Sequence, residues 1–181
     1  RFLSISGDGK TLAVATPKSN EVGSLSGRVD IYSWDGNSWE KKGAAILGRN
    51  ADDRTGNKVH ISEDGSTLVV GRLRNSENGH LAGRMDVYAW MDNDWESIGG
   101  SILGEQGERL GLLTTMSSDG STIVAGIPPT GLTYDGTEDS ERGQIKIYKI
   151  ENEQWVLQDS LFGTPDQSLG VGMSLSSDGN T

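Results

Sequence analysis

The sequence contains no cysteine, two histidines and four prolines, and no apolar run long enough to cross a bilayer. The missing thiols exclude disulfides, thiolate zinc sites and cysteine nucleophiles. The missing apolar run excludes a membrane-spanning helix. Basic residues are scarce: 16 Lys and Arg stand against 26 Asp and Glu, for a net charge of −10. Such a surface does not suit a nucleic-acid backbone or an anionic membrane, since both call for basic partners. Catalytic signatures are missing too. No G-x-S-x-G elbow, P-loop or dinucleotide fingerprint occurs, and His60 and His80 share no H-x-x-x-H spacing. The adjacent carboxylates Asp52 and Asp53 fall on a connecting segment, where a glycosidase-like pair cannot be argued. No segment shows a 3.6-residue period with caps, so no helix is expected.

What the chain does have is glycine, 26 residues of it, and an internal repeat. The organising stretch is 56–73, G-N-K-V-H-I-S-E-D-G-S-T-L-V-V-G-R-L, which reads as strand, tight turn, strand. Its turn aspartates are Asp8, Asp64, Asp119 and Asp178, separated by 56, 55 and 59 residues. An Asp followed by Gly suits a tight hairpin turn with a left-handed residue. Each unit carries four short apolar runs. In the second they centre on Val59 and Ile61, on Leu68 to Val70, on the alternating Met85, Val87 and Ala89, and on Trp95 to Leu103. Tyr32, Tyr88 and Tyr148 each precede a tryptophan (Trp39, Trp95, Trp155) by seven residues. The third unit holds a five-residue insertion within 128–142.

Four antiparallel strands per unit of this length, repeated in register, is the pattern of a β-propeller blade. A parallel β-solenoid has shorter coils without hairpins, and a two-sheet sandwich needs no strict repeat. The expectation is an all-β β-propeller segment of four-stranded antiparallel blades, about three blades plus part of a fourth. The units are 1–56, 57–111, 112–170, and 171–181 as the first strand of the next blade. The chain opens inside one repeat and ends inside another, so it reads as a piece of a longer polypeptide. Further blades, or copies of itself, are then expected to cover the apolar end faces.

These residues resemble FG-GAP repeats, the blades of integrin α-type propellers. The opening pair appears as Thr55-Gly56, Leu110-Gly111 and Leu169-Gly170. The Gly-Ala-Pro landmark appears as Ala15-Thr16-Pro17 and Gly126-Ile127-Pro128, and is degraded at Gly71-Arg72-Leu73. The resemblance implies a role in adhesion or protein contact at the cell surface. The family's metal-binding blades use D-x-D-x-D-G loops, but here one Asp precedes Gly. One carboxylate does not supply calcium's oxygen ligands. No cofactor and no metal are therefore expected.

Strands that alternate in direction put the tight turns on one face and the long loops and links on the other. Most acidic turn residues read as turn formers, with a weak cation-binding or basic-partner face as the sharper alternative. Recognition is expected on the long-loop face, where Tyr134, Asp135, Glu138 and Asp139 of the insertion are the candidate binding residues. Trp39, Trp95 and Trp155 read as packing between units. Trp34 and Trp90, absent from the third unit, are candidate platforms for a sugar ring. The functional expectation is a non-catalytic structural or adhesive scaffold making protein–protein contacts, extracellular or at the cell surface. Partners would be a protein, further blades or copies, or a glycan, with no nucleic acid and no membrane insertion. The alternatives are a carbohydrate-binding propeller, and an accessory propeller of an enzyme whose site lies outside this segment.

Overall fold

Short β-rich runs separated by Asp-Gly turns leave the backbone one economical way to pair its hydrogen-bonding groups, as consecutive hairpins. The computed structural model describes residues 2–129, 143–164, 167 and 169–180, and there the chain forms thirteen strands in three antiparallel sheets. No helix occurs among the described residues. Sheet 1 contains β1 (Phe2–Ile5), β2 (Thr11–Thr16), β3 (Arg28–Trp34) and β4 (Trp39–Lys41), with β5 (Ile46–Leu47) pairing back on β3. Sheet 2 runs β6 (Val59–Ile61), β7 (Thr67–Arg72), β8 (Arg84–Met91), β9 (Asp94–Leu103). Sheet 3 runs β10 (Leu113–Met116), β11 (Thr122–Ile127), β12 (Gln144–Glu151), β13 (Gln154–Phe162). Along β1 to β4, β6 to β9 and β10 to β13 strand order follows chain order, so consecutive strands there join as hairpins, while β5 returns past β4 to pair with β3.

The repeat is visible in the register. Leu12↔Tyr32, Leu68↔Tyr88 and Ile123↔Tyr148 are equivalent cross-strand pairs. The outermost strand is irregular in all three sheets. In sheet 1 it breaks into β4 and β5; in sheets 2 and 3 it stays whole, with a register shift at Asp86/Val87 and Ile147/Tyr148. Such a shift lets one edge bend without leaving the ladder.

Neighbouring sheets stack face to face. Ala13, Ala15, Val29, Ile31 and Ile46 of sheet 1 meet Val59, Ile61, Leu68, Val70, Tyr88 and Trp95 of sheet 2. Val69, Met85, Val87 and Ile102 on the other side of sheet 2 meet Met116, Ile123, Ala125, Ile127 and Tyr148 of sheet 3. Sheet 2 is therefore apolar on both faces, which accounts for its uninterrupted Leu68-Val69-Val70 run. The links run between sheets beside the preceding long loop. Thr55 and Leu110 form isolated parallel bridges to Gly27 and Gly83, and a Cβ on either glycine would fall about 2.2–2.3 Å from the link backbone. Only glycine permits that approach.

Residues 171–180, expected to begin a further strand, hold no strand in the structure. A ladder needs a partner, and no described residue pairs with this segment as β2 pairs with β1. Its tight turn forms nevertheless, with Ser176 Oγ donating to Asp178 Oδ1 at 2.6 Å.

Candidate functional site

The tight-turn face is built from one repeated device, Ser-x-Asp-Gly-x-Thr. The serine hydroxyl donates to the aspartate at 2.6 Å in all four turns (Ser6–Asp8, Ser62–Asp64, Ser117–Asp119, Ser176–Asp178). The same hydroxyl accepts the backbone N–H of Thr11, Thr67 and Thr122 at 2.9–3.0 Å. Hydrogen bonds from the serines hold the carboxyls of Asp8, Asp119 and Asp178 below the usual carboxylate range. These carboxylates are engaged in closing their own turns, and no cluster of three or more potential metal ligands occurs among the described residues.

The tryptophans form cross-strand pairs. Trp34 packs on Trp39 with ring centroids 5.6 Å apart, and Trp90 on Trp95 at 5.5 Å, both tilted. Trp95 is 7% exposed and its indole Nε1 donates to the Lys42 carbonyl of sheet 1 at 2.9 Å. Trp39 holds the same repeat position, but no sheet of the described residues lies over it and it is 39% exposed. Trp34 is exposed at the rim. The Trp90 ring carries the Lys42 ammonium 5.0 Å from its centroid, which occupies the surface a sugar would stack on. Tyr134, Asp135, Glu138 and Asp139 lie outside the described residues.

On the long-loop face the first link and the long loop of sheet 2 enclose a cleft of about 410 Å³. Its wall residues include Asn50, Asp52, Asp53, Arg74, Glu77 and Leu81. Two layers of charge build it. The inner layer centres on Arg72, 1% exposed at the end of β7. Arg72 Nη2 donates to the Tyr88 hydroxyl at 3.2 Å. Its Nε lies 2.7 Å from Asp86 Oδ2, an ion pair off the line a hydrogen bond needs, and its Nη1 is 3.7 Å from Asp53 Oδ2. Asp53 also accepts from the Asn50 N–H and the Asn75 carboxamide, both at 3.1 Å. Asp86 Oδ1 accepts from Arg84 Nε and Ser101 Oγ, each at 2.8 Å, and Arg84 reaches on to Glu77.

The outer layer is Asp52 between two arginines. Arg54 Nε donates to Oδ1 at 3.2 Å, and Arg74 Nε lies 3.0 Å from Oδ2. The backbone at Asp52 is left-handed, with φ 63°. At the second link the equivalent residue is Gly107, φ 84°. The match is fixed by hydrogen bonding: Asp52 N–H bonds to Ser24 O as Gly107 N–H bonds to His80 O, and Arg54 to Leu25 O as Arg109 to Leu81 O.

Recognition is expected on this face, with Asp52 and Asp53 expected only as part of a connecting segment. Asp53 is in fact buried. Arg72, Asp86, Arg74 and Arg84 were missed as a constellation. The available signal was the departure from the repeat at Gly71-Arg72-Leu73, an arginine where the other units carry Thr16 and Ile127.

With this geometry in view, comparison with known proteins gives likeness of fold. No protein-family model matches the chain, and no curated protein matches it at a significant level. Solved structures do. A candidate 6-phosphogluconolactonase of Bacteroides uniformis aligns with TM-score 0.55 at 18% identity, over 90% of this chain and 40% of that one. Hydrazine synthase of Kuenenia stuttgartiensis aligns with TM-score 0.53 at 17% identity, over 89% and 36%. An acylaminoacyl peptidase of Pyrococcus horikoshii aligns with TM-score 0.50 at 9% identity, over 84% and 23%. The fold is all-β and propeller-like. The chain spans two fifths or less of the length of these relatives.

One expectation is corrected by these likenesses. A chain without enzymatic role was expected because no catalytic motif occurs. Yet the same stack of sheets is found in proteins named as a lactonase and a peptidase. Fold and missing motif together therefore do not separate this chain from enzymes, since activity resides in sites carried on a fold.

Proposed function

We propose that this chain is a β-propeller segment, three blades and the start of a fourth in FG-GAP-like register, that recognises a ligand in the cleft between its first link and second long loop. The observation that carries this reading is Asp52. It keeps a side chain at a left-handed position where glycine is the unstrained choice, and it grips two arginines at the cleft mouth. The buried Arg72–Asp53–Asp86 layer beneath holds link and loop in one arrangement, as a binding site requires. A ligand-observed NMR screen of a small-molecule library tests it. At least one ligand is expected to bind the natural chain and to be lost in Arg74→Gln. A library in which no compound discriminates the two proteins overturns the reading.

A second reading, protein contact within a larger extracellular or cell-surface assembly, is favoured by the end faces. Ile5 is 50% exposed, whereas its counterpart Ile61, packed on sheet 1, is 3% exposed. Leu161 is likewise exposed on the side where Ile46 and Ile102 are buried. The two positions lie at opposite ends of the stack, and a further blade or a second copy seated at each end would bury them. Sedimentation of the natural chain and of Ile5→Asp tests this: concentration-dependent association is expected in the first alone, and a monomer at all concentrations in both overturns it.

A further inference from the structure

The charges around the cleft cancel locally, although the chain as a whole is strongly acidic. Asp52, Asp53, Glu77 and Arg74 line the cleft, and the balance is made by Asp86, Arg54, Arg72 and Arg84 in the layer behind them. Each of the eight is in at least one ion pair within the set. The groups on offer are mixed in character. Arg74, on the cleft wall, comes nearest Asp52 through Nε, at 3.0 Å. Arg54 approaches the same carboxylate through its own Nε at 3.2 Å. Glu77 pairs with Arg84 through Oε2, and the Asn50 carboxamide on the same wall offers both a donor and an acceptor. Ala51 and Leu81 add apolar surface to the same walls.

From this pattern we infer that the cleft takes a neutral polyhydroxylated ligand, a carbohydrate; the inference rests on the ligand-recognition reading above. An anion approaching Arg74 meets Asp52, Asp53 and Glu77, and a cation approaching Glu77 meets Arg74 and Arg84, so neither gains net Coulomb energy. A hydroxyl both donates and accepts. A row of hydroxyls can therefore take protons from the guanidinium and give them to the carboxylate without adding charge. The C–H face of a sugar ring covers Ala51 and Leu81. The volume lies in the range of small-ligand sites, about 300–1,000 Å³. Asp52 sets specificity by fixing both arginines, and the second link, with Gly107 at that position, provides no such grip.

The test is titration of the natural chain, at low and at high salt, with maltose, cellobiose, lactose, inorganic phosphate and free arginine, followed by heteronuclear NMR. Asp52→Gly and Arg74→Gln are the variants. Glycine is the residue the second link uses, so Asp52→Gly keeps the backbone, and its urea midpoint is expected at or above that of the natural chain. Expected is binding of at least one disaccharide, little changed by salt, shifting Asn50, Arg74 and Leu81 signals, and weakened about tenfold in each variant (about 1.4 kcal/mol). Salt-sensitive binding of phosphate or arginine at these residues, with no saccharide binding, overturns the carbohydrate inference and leaves the ligand cleft standing. Saccharide binding that survives both variants and is lost in Trp34→Ala overturns the cleft itself. No binding by any probe overturns the inference, while the wider library screen decides the cleft separately.

Discussion

The first two links of this molecule meet the same packing problem with different charges. At the first, Asp53 faces Arg72 from β7, while Asp86 from β8 holds that arginine on its other side. At the second, Glu108 occupies the place of Asp53 and pairs with Lys146 from β12, which stands where Asp86 stands in sheet 2; the position of Arg72 is filled by Ile127. An acidic link residue meets a buried cation in both cases, but the cation comes from different strands. The first link adds a layer, the Asp52–Arg54–Arg74 triad, where the second has Gly107. The difference teaches that an ion pair of some kind is the common requirement for seating a link on its sheet. The surplus charge at the first link belongs to the cleft.

Breaking the first link's inner layer gives the largest effect. Arg72→Met leaves Asp53 and Asp86 buried without their shared cation, and a loss of about 3–5 kcal/mol is expected in urea unfolding. The contrast is sharpened by transplanting the second link's residues, Arg72→Ile, Arg84→Gln, Asp86→Lys and Asp53→Glu together. More than half of that loss should return. A transplant as unstable as Arg72→Met would show that the two arrangements are not interchangeable.

Trp95→Ala should cost about 3–4 kcal/mol, because the ring is buried between sheets 1 and 2. Trp39→Ala, at the same repeat position with no sheet of the described residues over it, should cost less than about 1 kcal/mol. Equal losses measured by urea denaturation would mean that Trp39 is covered in solution.

Glu108→Gln at the second link is expected to cost about 2 kcal/mol. Lys146 loses its partner, but Glu108 is less deeply placed than Asp53 and a lysine ammonium can reach water more readily than a buried guanidinium. A loss matching that of Arg72→Met would erase the distinction drawn between the links.

The smallest effects are those of pH. His60, on β6 between sheets, is pushed below its ordinary value by burial, with Lys58 adding to the shift. Its unfolded form binds a proton first as pH falls below about 6.5. Stability is therefore unaffected above that value and declines as the pH drops through it. The turn aspartates act lower. Their folded values are depressed, so their contribution is complete above about pH 4 and is lost as the pH falls through the folded values. Urea midpoints at stepped pH should show both phases. His60→Val should remove the upper one alone, and an unchanged slope in that variant would rule out His60 as its source.

Much of the fold was legible because the repeat states each element three times. The Ser-x-Asp-Gly-x-Thr turns, the Tyr-to-Trp spacing and the period-2 runs are local, and local chemistry closes those hairpins. The break of the last strand into β4 and β5 was not legible. Between the two pieces the Ala44 N–H donates to Asp94 of the neighbouring sheet at 2.8 Å, a contact across a distance that no local pattern encodes. Of the proposed site, chain direction supplied only the expectation of a long-loop face, and the cleft's arginines were not singled out. Arg72 read as damage to a motif because its three partners come from 19 residues upstream and from 14 and 16 downstream in the chain, at Asp53, Asp86 and Tyr88.

By itself the sequence determined that strands form, where they turn and which of their faces are apolar, since these follow from side-chain period and turn chemistry within a few residues. The tertiary structure alone decided which sheet covers which, why Trp95 is buried and Trp39 is not, and that Asp52 closes on two arginines. Those outcomes depend on distances between segments far apart in the chain. A one-dimensional pattern carries no distance until stacked sheets set it.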